Sequence, residues 1–115
     1  MAIGFRDSGG KLLTASMYMS NTLYAMHWTS STVFSATVAT TYLFGAFNPL
    51  WLRAIYDGTN VKLYYSMTGA IWTLLLSETL TTFLASGTPN FFFGADCIGG
   101  DITVDLLSYV ETALP

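Results

Sequence analysis

The turn signal Asp57-Gly58-Thr59-Asn60 separates two strand-length apolar runs, Leu50-Trp51-Leu52-Arg53-Ala54-Ile55-Tyr56 and Val61-Lys62-Leu63-Tyr64-Tyr65. Asp-Gly between apolar runs is among the best short-range marks of a β-hairpin, because glycine supplies the positive φ that a tight turn demands. Similar clusters recur at Asp7-Ser8-Gly9-Gly10, Ser20-Asn21, Thr29-Ser30-Ser31, Asn48-Pro49, Thr68-Gly69, Ser86-Gly87-Thr88-Pro89-Asn90 and Gly99-Gly100-Asp101. A chain interrupted this often has little room for helices. Strands are expected over 3–6, 11–19, 22–28, 33–40, 50–56, 61–66, 71–78, 90–97 and 102–111, with a helical turn only near 79–84. Sequential short strands of this kind suggest a sandwich or barrel built from antiparallel neighbours, and the fold expected is all-β, an antiparallel two-sheet sandwich. No repeat, linker or charge block divides the chain, so residues 1–115 are expected to form a single module.

Strand faces follow from the two-residue period of side-chain direction. Leu50, Leu52, Ala54 and Tyr56 share one face of the first run; Trp51, Arg53, Ile55 and Asp57 share the other. Neither face is cleanly polar. Composition carries the point further: 52% of residues are hydrophobic and 10% charged, against about 25% charged in typical soluble domains. Apolar surface should therefore remain after the core is filled, and such surface marks a contact site. The reading predicts a homo-oligomer or a larger assembly.

The same numbers exclude several functions. A net charge of -3, with basic residues scattered at Arg6, Lys11, Arg53 and Lys62, gives no footprint for a nucleic-acid backbone. The most apolar stretch, residues 42–56, contains Asn48, Pro49 and Arg53 and falls short of the roughly 20 residues of a membrane-spanning helix. Cys97 has no cysteine partner within the chain and reads as a small hydrophobe. The residues after Met1 do not read as a secretory leader.

The middle of the sequence resembles a known family. Leu52-Arg53, Asp57-Gly58-Thr59, Tyr65-Ser66, Gly69 and Trp72 resemble the Leu-Arg, Asp-Gly-Thr, Tyr-Ser, Gly, Trp succession of concanavalin A-like lectin/glucanase modules, the laminin-G-like jelly rolls. Gly4-Phe5-Arg6-Asp7-Ser8 with Lys11-Leu12-Leu13 is similar to the Gly-x-Arg-Asp-Ser strand opening of such modules in bacteriophage tail and other virion proteins. The likeness runs from Gly4 to about Glu111. It implies a concanavalin A-like jelly roll in which Asp57, Gly58, Thr59, Tyr65, Ser66 and Gly69 serve as scaffold, with Trp72 capping the core. Members are usually longer, with several strands ahead of that opening. The resemblance thus implies either a reduced sandwich or strands supplied from elsewhere, and in both cases an edge or face needing cover.

Catalysis is not expected. Enzymatic members set an acid and a nucleophile side by side on one strand, whereas the only glutamates here are Glu78 and Glu111. Asp101 and Asp105, four residues apart on a regular strand, would be roughly 13 Å apart, too far for glycoside hydrolysis. His27 is the only histidine and has no partner at ligand or triad spacing. Asp96, Asp101 and Asp105 lie near a Gly-Gly turn, and rim calcium is known in the family, but they lack a dense donor loop. Neither metal nor cofactor is expected.

The function expected is a non-catalytic structural or adhesive module of a phage-like virion, assembling through apolar strand faces and edges. The alternative is a free-standing, extracellular carbohydrate-binding module, whose sugars would stack on Tyr24, Trp28, Trp51 and Tyr56, with Tyr18 and Tyr64 as further candidates.

Overall fold

The computed structural model describes residues 2–18, 21–43 and 50–94. Eight strands are present there: β1 (Ala2–Arg6), β2 (Leu12–Tyr18), β3 (Thr22–Ser30), β4 (Val33–Tyr42), β5 (Trp51–Tyr56), β6 (Asn60–Ser66), β7 (Thr73–Thr79) and β8 (Asn90–Gly94). One turn of 3-10 helix, Leu80–Thr82, falls where the helical turn was expected. The expected final strand, 102–111, lies outside the described residues, as does the end of 90–97.

The strands form two antiparallel sheets, one ordered β4-β3-β2-β1-β8 and the other β5-β6-β7. β5 lies across from β1 and β7 across from β4, so the sheets face one another as a sandwich. The all-β, two-sheet expectation holds. β1 to β4 follow one another as neighbours in the first sheet, the chain then crosses to lay β5 to β7 side by side in the second, and β8 returns to the first to pair with β1. Among the described residues this is two meanders and a returning strand, and the alternation between sheets that characterises a jelly roll is not seen.

Pairing register shows which residues face the gap. Phe5 stands opposite Leu13, Leu13 opposite His27, Ile3 opposite Ala15 and Ala15 opposite Ala25. Opposed residues of an antiparallel pair share a face, and these meet Val61 and Leu63 of β6, with Leu80 and Leu84 closing one end. Leu52, Ala54 and Tyr56 pack against the same core, as their alternation requires.

The other face of β2 is buried as well, at Leu12, Thr14 and Ser16. Its hydroxyls are partnered: Trp28 Nε1 and Ser16 Oγ both donate to Thr14 Oγ1, at 3.2 and 3.3 Å. A buried hydroxyl without such partners would cost about 1–3 kcal/mol. Opposite Thr14 on β1 is Gly4, where an added Cβ would sit 1.9 Å from the Leu13 carbonyl oxygen. The glycine of the Gly-x-Arg-Asp-Ser segment is thus imposed by close backbone approach.

Candidate functional site

The residues of the central motif build two turns and a stacked pair. Asp57 Oδ1 accepts hydrogen bonds from the Thr59 and Asn60 amides at 3.1 and 2.7 Å, while Oδ2 pairs with Lys62 Nζ at 2.8 Å. Lys62 first, and then these amides, hold the Asp57 carboxyl well below the usual carboxylate range. Gly58 has φ +95°, and its carbonyl accepts from the Tyr56 hydroxyl at 3.0 Å. At the next turn, buried Ser66 accepts through Oγ from the Thr68 and Gly69 amides at 3.2 and 2.9 Å. Gly69 has φ +78°, and an added Cβ would come within 3.0 Å of the Trp51 indole. Tyr65 is half-buried, opposite Leu52 of β5.

Trp72 corrects its expected role. It precedes β7 and lies beneath Arg53, whose guanidinium carbon is 3.8 Å from the ring centroid. Arg53 alternates with the core-facing Leu52 and Ala54, so the pair occupies the outer face of the three-stranded sheet. Trp72 covers that face and does not cap the core. A cation sharing an indole face contributes about 0.5–2 kcal/mol to keeping the two side chains together there.

The four candidate sugar platforms are not brought together. Tyr24 and Trp28 share the outer face of the five-stranded sheet, Trp51 lies on the outer face of the other sheet, and Tyr56 points inward beside the Asp57 turn. Trp28 is met edge-on by Phe34 at 5.5 Å and is tied to Thr14. Trp51, 37% exposed and seated on Gly69, is the one platform of this set open to solvent over more than a third of its surface. The Tyr18 side chain, Cys97, Asp96, Asp101 and Asp105 lie outside the described residues.

Two polar groups with no signal in their local sequence sit in the interior. His27 Nε2 and Glu78 Oε1 approach to 2.9 Å from opposite sheets, with both side chains about nine-tenths buried. Phe83 stacks flat on the imidazole at 4.0 Å, and Lys11 Nζ reaches the Phe83 carbonyl at 3.2 Å. A histidine and carboxylate are two members of a catalytic triad. The described hydrogen bonds of this imidazole, however, go to Glu78 alone, and the pair bridges the sheets.

Asp7, also buried, accepts from the Lys11 amide at 2.9 Å and the Ala85 amide at 2.8 Å, tying the β1–β2 turn to the segment after the 3-10 turn. Burial pushes its carboxyl up, but the amides of Ala85, Lys11, Gly9 and Gly10 together hold it below its ordinary value. Among the described residues no buried side-chain nitrogen or oxygen lacks a partner, and no group of three or more His, Cys, Asp and Glu can hold a metal. No helix there is long and apolar enough to cross a membrane.

What remains open is apolar surface. Val33 and Phe34 at one end of β4 are 53% and 51% exposed, Ile71 is 76% exposed, and Leu74 and Phe93 are 50% and 40% exposed. Single exposed apolar residues are ordinary; here they coincide with edge strands and a turn of a chain that has little charge. These features define the class, an antiparallel two-sheet β-sandwich with greasy outer strands. Comparison with protein-family models, curated proteins and solved structures found no match to the chain.

Proposed function

We propose that this chain is a non-catalytic structural or adhesive module that assembles, with copies of itself or with neighbouring subunits, through the apolar faces and edges of its strands. The observation that carries this reading is the set of large side chains left in water on β4, on β8 and around the 67–74 turn. Burying apolar surface contributes roughly 25 cal/mol per Å², so a partner covering several of them gains several kcal/mol. The likeness of the Gly4-Phe5-Arg6-Asp7-Ser8 opening and the Asp57-to-Trp72 succession to concanavalin A-like modules of phage tails supports a place in a phage-like virion, in a tail, receptor-binding or capsid-decorating protein.

Light scattering on the full chain over a dilution series tests the reading. A mass that is a multiple of 12.5 kDa at high concentration and falls on dilution is expected. A monodisperse monomer throughout would overturn it.

Carbohydrate binding is the second reading, and the exposed Trp51 ring is the feature that favours it. A glycan array separates the two: retention of particular sugars that is abolished in Trp51→Ala would favour the lectin.

A further inference from the structure

Asp57-Gly58 is the one Asp-Gly step in the chain. An aspartyl carboxyl followed by glycine has a reaction open to it that bulkier neighbours hinder, because no Cβ crowds the next amide nitrogen. That nitrogen attacks the aspartyl Cγ, its proton leaves with the carboxyl hydroxyl as water, and a five-membered succinimide closes. Water then opens the ring at either carbonyl. One opening restores aspartate; the other gives isoaspartate, whose main chain runs through Cγ and is one carbon longer. The carboxyl must be neutral for this, since an ionised one has no hydroxyl to lose, and Cγ must be free to swing onto the next nitrogen.

Asp57, Gly58 and Thr59 are exposed, so water reaches the turn, yet the turn opposes both conditions. Oδ1 is taken by the Thr59 and Asn60 amides, which lie beyond the Gly58 nitrogen in the chain, and Oδ2 by Lys62. Swinging Cγ onto the Gly58 nitrogen draws the oxygens off these three donors. The same donors, Lys62 foremost, keep the carboxyl ionised. Around it the backbone is tied down: the Asp57 amide donates to the Asn60 carbonyl at 3.1 Å, and the Thr59 carbonyl accepts from the Leu80 amide at 2.9 Å.

We infer that Asp57-Gly58 is a latent isomerisation site, held unreacted by the hairpin it closes, with Lys62 as the residue that sets how fast it converts. The step needs no co-reactant but water, and atoms balance: one water leaves as the ring forms and one enters as it opens. Conversion inserts a carbon into a turn whose register sets Tyr56 opposite Val61 and whose Thr59 carbonyl holds the buried Leu80. The added length displaces one contact or the other, so the modification reaches from an exposed turn to the core. Lys62 thus has a task besides pairing charges on the surface.

Ageing the full chain at one fixed, mildly acidic pH and mapping isoaspartate by peptide fragmentation reads the rate at residue 57. The parent unfolded in urea is expected to convert at least about tenfold faster than the folded parent, because unfolding returns the carboxyl toward its ordinary ionisation. Lys62→Met, with the circular dichroism of the parent, should convert about threefold or more faster, the size that an exposed ion pair supports. Lys62→Arg should stay near the parent rate. If Lys62→Met does not fold, the folded parent in about 1 M salt, which screens the pair, replaces it and should convert faster than at low salt. A folded parent that converts as fast as the urea-unfolded chain overturns the protection. A folded Lys62→Met, or its high-salt substitute, that ages no faster than the parent overturns the part given to Lys62.

Discussion

Gly4 shows how much one missing methyl group can determine. A Cβ there would overlap the Leu13 carbonyl, whereas one at Gly58 meets nothing within 4 Å and one at Gly9 makes only ordinary contact at 3.4 Å. Gly4→Ala is therefore expected to lose about 3 kcal/mol or more in urea unfolding, by forcing β1 away from β2. Gly58→Ala should cost about 1 kcal/mol through its positive φ alone, and Gly9→Ala should be close to neutral. A Gly4→Ala protein as stable as its parent would show that β1 and β2 are not this close. Asp7 acts through charge. Its carboxyl is held below the ordinary value, so its contribution is complete above the unfolded carboxylate pKa of about 4 and is lost as pH falls from there through the folded value. Asp7→Asn is expected to lower stability by about 1–3 kcal/mol at neutral pH and to flatten the urea midpoint between pH 4 and pH 2, relative to the parent.

Among the elements, the β5–β6 hairpin is legible in its own dozen residues, and its register with Tyr56 opposite Val61 is the one its turn demands. Asp57 and Gly58 encode it locally. The contacts between sheets have no such signal: His27 and Glu78 are 51 residues apart and meet only because β3 and β7 lie on facing sheets. Removing one partner strands the other in the interior, so Glu78→Leu or His27→Leu alone should cost about 1–3 kcal/mol. The double variant should cost less than the sum, with a coupling of about 1 kcal/mol in a double-mutant cycle. Additive losses would mean that the bridge does not form in solution. Trp72 departs from its expected place for a related reason: the sequence shows an aromatic beside a strand, while its face is set by where Arg53 emerges on β5.

For the whole molecule, the question is whether the exposed apolar residues stabilise the chain or serve a neighbour. Ile71, 76% exposed, is the clearest test. Ile71→Lys is expected to leave the urea midpoint of unfolding within about 0.5 kcal/mol, as surface changes away from special features usually do. A large loss would mean that Ile71 packs within its own chain in solution. The sugar platforms teach the same lesson at this scale. Each is readable as an aromatic on a strand, yet two-sheet packing leaves Tyr24 and Trp28 on the outer face of one sheet, Trp51 on that of the other and Tyr56 turned inward, and no local pattern announces which sheet receives which.

Sequence alone determined the eight described strands, most of their ends, the two central turns and the surplus of apolar area, because each depends on residues within a few positions of one another and on a fixed two-residue period. Tertiary structure decided that His27 meets Glu78, that Asp7 is buried against Ala85, that Trp72 lies under Arg53 and that β8 returns to pair with β1. Those outcomes depend on how one sheet is laid over the other, and that alignment is set by the sum of many weak, non-directional packing contacts that no short stretch of sequence contains.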